Sequence, residues 1–191
     1  MGRPRNFDAD TVVDRAMEAF WTHGYAGCSP AQLAEATGIG KGSLYNCFGS
    51  KRELFDLAMA KYDRMGTTLA KEVLSQPGTT RECLRAWMRW VVDSDLEHGT
   101  PRGCLVVNTA IELGGHDDAA TKAVREAHGH MVETLAERLD QGRRDGDVRA
   151  DLDTHAFAEF LMNTIGGLRI NVKVSDVESL YRIIDTTLTL L

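Results

Sequence analysis

The chain lacks the features typical of membrane, secreted and zinc-binding proteins. No apolar run approaches the roughly 18 residues that a membrane-spanning helix needs, and residues 1–10 contain no apolar segment of the kind found in signal peptides. Only four cysteines occur among 191 residues, and none forms a CxxC pair, so neither a disulfide framework nor a zinc module is indicated. We expect a cytoplasmic protein with reduced thiols and no cofactor.

The chain also lacks an excess of positive charge, because its net charge is −6. Taken over the whole chain, this charge argues against a nucleic-acid partner. The distribution is uneven, however, since residues 1–52 contain six basic and five acidic side chains, and residues 53–191 carry the whole acidic excess. This asymmetry fits a small DNA-facing N-terminal part on an acidic body.

No segment shows convincing strand alternation, whereas apolar residues recur at helical spacing along the chain. With 43% hydrophobic and 26% charged residues, the composition is that of a folded globular protein. We therefore predict an all-α protein. The pattern places helices at about residues 8–23, 30–37, 40–48, 50–74, 80–97, 104–113, 118–144, 154–173 and 175–191.

Two short helices near the N-terminus have the spacing of a helix-turn-helix. Ser29 and Gln32 form a capping box with Pro30 at the first helical position, and Gly38 supplies a tight turn before the next helix. Leu44 is spaced to pack that helix back on the preceding one. The second helix of such a motif lies in the DNA major groove.

The second of these helices carries small and hydrogen-bonding residues instead of a bulky face. Gly42 allows close approach of the backbone to DNA, and several neighbours can donate to phosphates and bases. These neighbours are Lys41, Ser43, Tyr45 and Asn46. Tyr45 can also serve mainly as a packing residue beside Leu44.

The segment "FWTHGYAGCSPAQLAEATGIGKGSLYNCFGSKRELF" closely resembles the TetR family of bacterial transcriptional repressors, and the match covers about residues 8–60. The resemblance implies DNA contacts from Lys41, Ser43, Tyr45 and Lys51, and a phosphate contact from Ser29. It implies a DNA-binding domain at residues 1–52 and a ligand-binding and dimerisation domain at residues 53–191. It also implies a homodimer on a palindromic operator, released by a small-molecule effector.

The N-terminal tail contributes two further basic residues, Arg3 and Arg5. Basic N-terminal arms can reach the minor groove next to the major-groove site. The alternative is a solvated tail without DNA contacts.

The C-terminal part carries candidate effector-binding residues. Trp87, Trp90 and Met131 lie in helices where the family resemblance implies a pocket, although core packing alone also explains such residues. Asn108, Thr109 and Glu112 share one helical face, which either meets water or binds the polar end of an effector.

The last two predicted helices carry broad apolar stripes, which we interpret as a four-helix dimer contact between two copies of the chain. The stripe residues assigned to the interface are Phe160, Leu161, Ile165, Leu168, Leu180, Ile184 and Leu188.

Other functions find less support. The metal-binding candidates match no standard ligand spacing: His98, Cys104, His116, His128 and His130. A redox switch at Cys28 or Cys47 would need a resolving partner or an activating positive field. No catalytic motif occurs, so we expect no enzyme. A ligand-independent DNA-binding protein stays open as an alternative.

Overall fold

The computed structural model describes residues 8–97 and 99–191, which form nine α-helices and no β-strand. The helices are α1 (Ala9–Gly27), α2 (Pro30–Thr37), α3 (Lys41–Phe48), α4 (Lys51–Leu74), α5 (Thr80–Leu96), α6 (Leu105–Leu113), α7 (Asp118–Asp145), α8 (Thr154–Asn171) and α9 (Val177–Leu188). The all-α prediction is confirmed.

The first three helices form a small unit, here called the head. Ser29 caps α2 by the predicted capping box, and Gly38 ends α2 in the left-handed conformation at φ 74°. The Arg15 guanidinium donates to the Thr37 carbonyl oxygen at 3.1 Å and so ties the end of α2 to α1. Phe20 is fully buried at the centre of this unit. The turn between α2 and α3 is therefore fixed from both sides.

Two predicted helix ends differ from the structure. The first helix was expected to end at Gly24, but the chain resumes one more helical turn to Gly27 after a break at Gly24, where φ is 75°. The last helix was expected to begin at Ser175. Asp176 caps it instead and accepts the Ser179 N–H at 2.8 Å, because Ser175 still belongs to the turn that ends α8.

The hydrophobic core has two parts, and α4 and α7 contribute buried residues to both of them. The body core is built by α5, α7, α8 and α9 with the C-terminal half of α4. The head core continues into the body, because Leu105 and Val106 of α6 and Ala127 of α7 are buried in it. The head is thus packed onto α6 and is not attached through a linker alone.

Polar contacts reinforce this junction. Arg52, at the start of α4, forms an ion pair with Asp117, the N-cap of α7. The Ala120 N–H, and then the Arg52 guanidinium, stabilise the ionised Asp117 carboxylate and lower its pKa. The start of α4, directly after the head, is therefore held to the body helix α7 by charge as well as by packing.

Candidate nucleic-acid interface and ligand cavity

The exposed face of α3 is the candidate DNA-reading surface. Lys41, Gly42, Ser43 and Asn46 are all exposed on it. A Cβ atom at Gly42 would meet nothing within 4 Å, so the backbone is open to an approaching duplex. No side chain caps the start of α3, where Gly40 is the N-cap, and its first N–H groups are therefore available to a phosphate.

Ser29 lies at the start of α2 and is exposed. Its hydroxyl oxygen accepts the Gln32 N–H at 3.2 Å, while the Gln32 side chain accepts the Ser29 N–H at 2.8 Å. The hydroxyl hydrogen is still able to donate to a phosphate, as the family resemblance implies.

Two sequence-predicted contacts have a different geometry from that expected. Tyr45 is half-buried, and its hydroxyl is enclosed without a hydrogen-bond partner among the described residues. Burial raises the pKa of this phenol. The ammonium of Lys51 lies 4.4 Å from the centroid of the Tyr25 ring. In the free protein the Tyr45 side chain therefore packs inward, and its contact with DNA stays a prediction. Arg3 and Arg5 lie outside the described residues.

A redox role for Cys28 has no support from its surroundings. Cys28 is buried, and its thiol donates to the Ala19 carbonyl oxygen at 3.3 Å. Burial raises the pKa of the Cys28 thiol, which disfavours the reactive thiolate. Within residues 8–97 and 99–191, no cluster of three or more His, Cys, Asp or Glu side chains could hold a metal ion.

A cavity of about 820 Å³ lies between the head helix α1 and the body. Trp87, Trp90 and Met131 contribute to its wall, and the two indole rings stack at 5.4 Å with an interplanar angle of 7°. Ligand pockets in proteins span roughly 300–1,000 Å³, so the cavity can enclose a small molecule. The structure thus brings these three predicted residues to one site.

Several wall residues were missed by sequence reasoning. Met17, Glu18 and Trp21 of the head helix line the cavity, as do Arg102 and Arg169 of the body. No local pattern could have identified them, because helical periodicity does not show which distant elements meet. The Trp21 indole N–H, for example, donates to the Gly103 carbonyl oxygen at 2.9 Å across a separation of 82 residues.

Tyr62, on α4, is another cavity residue that the sequence did not single out. Burial raises the pKa of its phenol well above the usual value, against the opposing effect of the nearby Arg169 charge. The phenol is therefore neutral at physiological pH and adds no charge to the cavity wall.

The polar face predicted on α6 does not face this cavity. The Asn108 amide donates to the Arg102 carbonyl oxygen at 3.0 Å and borders a smaller neighbouring pocket. Thr109 is buried, with its hydroxyl 3.5 Å from the sulfur of Met59. The carboxylate of Glu112 accepts backbone N–H groups at the end of α1. None of these three residues lines the cavity of about 820 Å³, so the interpretation that Asn108, Thr109 and Glu112 bind an effector there is corrected.

The dimer stripe is also revised by the structure. Six of the seven assigned residues are buried inside a single chain: Leu161, Ile165, Leu168, Leu180, Ile184 and Leu188. Phe160 alone of the seven is exposed, at 42%. The outer faces of α8 and α9 instead present Phe160, Ile183 and, just past α9, Leu190. The sequence assigned the inward-facing residues to the dimer interface because one helix can carry both an inward and an outward apolar face.

No described helix combines the length and the apolar character that membrane crossing requires.

A helix-turn-helix head with an exposed reading helix, joined to a helical body that encloses a cavity, defines a DNA-binding transcriptional regulator.

Two family models match the chain. The model described as "Bacterial regulatory proteins, tetR family" matches residues 12–58, and the one described as "Tetracyclin repressor-like, C-terminal domain" matches residues 78–187. The chain belongs to the TetR family of bacterial regulators.

Proteins that are similar to this chain over most of its length are also transcriptional regulators. The transcriptional repressor ComR of Escherichia coli K12 is 30% identical over 99% of this chain and 91% of its own length. The uncharacterised regulator YezE of Bacillus subtilis 168 is 31% identical over the whole of both chains. A cysteine-substituted form of the TetR family regulator CifR, solved with a 26-bp double-strand operator DNA, superposes with a TM-score of 0.88 at 35% identity over 98% of each chain.

Proposed function

We propose that the protein represses transcription as a homodimer on a palindromic operator, and that a small molecule in the cavity between α1 and the body releases it. The observation that carries this proposal is the wall of the cavity, because Met17, Glu18 and Trp21 belong to the first helix of the head. A bound molecule therefore touches the head directly.

DNA recognition is assigned to the exposed face of α3, with Lys41, Gly42, Ser43 and Asn46 against the major groove and Ser29 at a phosphate. One such helix buries too little DNA surface for tight specific binding, so two heads are needed to read two half-sites. The operator complex of the similar regulator CifR supports this use of the fold.

Dimerisation is assigned to the outer faces of α8 and α9. Phe160, Ile183 and Leu190 are exposed there at 42%, 41% and 53%. Exposed apolar side chains on adjacent surfaces are typical of a subunit contact. A contact between two bodies fixes the distance between two heads, which an operator with two half-sites requires.

Release follows from the position of the cavity. A ligand has to bind one arrangement of head and body more tightly than the other to change DNA affinity. Since the cavity wall includes α1, a molecule that fits only a shifted α1 draws both heads away from the spacing of the half-sites. Regulation of transcription in this manner places the protein in the cytoplasm with the DNA and requires no catalytic step.

The test begins with selection of bound DNA from random oligonucleotides, followed by release with a metabolite panel. Recovery of a palindrome bound by two copies per duplex, and its release by at least one metabolite, is the expected result. Tryptophan fluorescence then reports binding next to Trp87 and Trp90. If no metabolite changes operator affinity, the protein is a ligand-independent DNA-binding protein; a site bound by one copy contradicts the dimer.

A further inference from the structure

The polar part of the cavity wall includes three arginines, Arg64, Arg102 and Arg169, together with the carboxylates of Glu18, Glu72 and Asp95. Two of these arginines, Arg102 and Arg169, form ion pairs within the wall. The side chains of Arg102 and Arg169 are 19% and 11% exposed. Arg102 lies over the Trp21 ring, 3.9 Å from its centroid, and forms an ion pair with Glu18 of α1. Arg169 donates to a carboxylate oxygen of Asp95 at 3.1 Å. Both guanidinium groups therefore belong to a wall that is otherwise mostly apolar.

The two ion-paired arginines keep spare hydrogen-bond donors, whereas the carboxylate of Asp95 is already occupied. Asp95 is 4% exposed, and its two oxygens accept the Gly103 N–H and the Arg169 guanidinium, each at 3.1 Å. A guanidinium carries five N–H groups. Within the described part of the chain, Arg102 and Arg169 each donate to a single carboxylate. A ligand that satisfies the remaining N–H groups must bring acceptor atoms.

The two ion pairs differ in how easily a ligand can replace them. Asp95 is buried and the Arg169 side chain is mostly shielded from water, so separating them would leave poorly compensated charge in the interior. Glu18 is 52% exposed, so water solvates its carboxylate whether or not it contacts Arg102. An anionic group entering the cavity therefore displaces Glu18 from Arg102 and leaves Asp95 in place.

We propose that the effector is an apolar monocarboxylate whose carboxylate binds Arg102 in place of Glu18. This inference rests on the proposed function of the cavity. The apolar part of the ligand lies against Trp90, Met65 and Met131, which line the same cavity. Because Glu18 belongs to α1, its displacement breaks a tie between the head and the loop that carries Arg102. Binding of the acid then removes one of the contacts that hold the head on the body, while the packing against α6 remains.

The experiment is calorimetric titration of the full chain with 2-naphthoate and decanoate, each paired with its primary amide. The amide keeps the shape and removes the charge. We expect the carboxylates to bind about tenfold more tightly than the amides, since hydrogen bonds to charged groups are the stronger ones. Arg102→Met should abolish this preference while amide affinity persists, which also shows that the variant is folded.

A second variant tests the displacement. Glu18→Gln removes the competing anion, so carboxylate affinity should rise about threefold or more, with amide affinity unchanged. Glu72→Gln is the matched control, because Glu72 lines the same cavity and is exposed, and no ion pair of it occurs among the described residues. A rise in Glu72→Gln equal to that in Glu18→Gln would reveal a general charge effect and overturn the displacement.

The outcomes separate this inference from the proposed function. If the amides bind as tightly as the carboxylates, or Arg102→Met keeps the preference, the ligand class is wrong while the cavity stays an effector site. If none of the four probes binds the wild-type chain, the inference fails, while the assignment of the cavity to an effector is decided separately by the metabolite panel.

Discussion

Gly24 and Glu112 fit together so closely that a Cβ atom at position 24 would lie 2.8 Å from Oε2 of Glu112. The glycine adopts φ 75° and breaks α1 there. The open space lets the Glu112 carboxylate accept the Tyr25 N–H at 2.9 Å and the Ala26 N–H at 2.6 Å. Since Glu112 belongs to α6, the end of the helix before the DNA-binding motif is fastened to the body.

Glu112→Ala should therefore weaken operator binding and destabilise the head. Two backbone N–H groups lose a charged acceptor, which costs about 1–3 kcal/mol in the free energy of unfolding. Urea unfolding and a mobility-shift titration measure the two effects. Glu133→Ala, at an exposed position on α7, is the control and should leave both unchanged. Wild-type stability of Glu112→Ala would show that the contact contributes nothing.

Tyr45→Phe should change the stability of the head, whereas Lys41→Ala should change its affinity for the operator. The enclosed Tyr45 hydroxyl has no partner among the described residues, so its removal should raise the free energy of unfolding by up to about 1 kcal/mol and leave operator affinity unchanged. Loss of the exposed Lys41 should weaken operator binding by about 1–3 kcal/mol and lower the salt slope by about one unit. Weaker DNA binding by Tyr45→Phe would mean that the hydroxyl turns outward onto DNA.

Charge placed on the outer and inner faces of the last two helices should separate dimerisation from folding. Phe160→Glu and Ile183→Glu alter exposed positions and should give folded monomers with weak operator binding. Ile184→Glu and Leu168→Glu place a charge in the core, which costs about 3–5 kcal/mol and should unfold the body. Light scattering and circular dichroism distinguish these outcomes. A Phe160→Glu, Ile183→Glu double variant that stays dimeric would place the interface elsewhere.

Two glycines of α7 should respond oppositely to alanine. A Cβ atom at Gly142 would lie 2.6 Å from Cγ2 of Val148 and 2.5 Å from Oδ1 of Asp147, so Gly142→Ala should destabilise the chain by about 1–3 kcal/mol. A Cβ atom at Gly129 would meet nothing within 4 Å, and Gly129→Ala should stabilise the helix by about 0.5–1 kcal/mol. Thermal unfolding of both variants measures the difference, and equal melting temperatures would contradict it.

Acid should loosen the junction between head and body through Asp117. The pKa of this carboxylate is lowered in the folded chain, first by the Ala120 N–H and then by Arg52. A lowered folded-state pKa gives stability that is present above the unfolded value, near 4, and is lost as pH falls through the folded value. Asp117→Asn should therefore flatten the fall in urea midpoint at acidic pH. An unchanged pH profile would remove Asp117 from this role.

The sequence predicted the helices well because their ends are encoded locally. A capping box and a left-handed glycine involve residues only a few positions apart, so Ser29 and Gly38 fix the limits of α2 without help from the rest of the fold. The exposed face of α3, which is the candidate DNA-reading surface, was predicted from the same local pattern. The exposure of Lys41 and Asn46 is a property of one short helix.

The cavity and the direction of apolar faces could not be predicted in the same way. Glu112 looks like an ordinary polar residue of α6 in the sequence. Its carboxylate accepts the Tyr25 N–H across a separation of 87 residues, which no local pattern can show. Likewise, Ile183 and Ile184 are adjacent and chemically identical, yet one is 41% exposed and the other is fully buried. Which of two apolar faces points inward is decided by the neighbouring helices.

The burial of Leu105 and Val106 in the head core limits how far this regulator can be treated as interchangeable parts. A chimera that joins α1–α4 to the body of another protein lacks Leu105 and Val106, which are buried in the head core. The transplanted head would then lose part of its buried packing, and operator binding would suffer although every residue of the exposed α3 face is present. A change of operator preference in this regulator is better made by substituting residues on the exposed face of α3, with α6 and its contacts to the head kept intact.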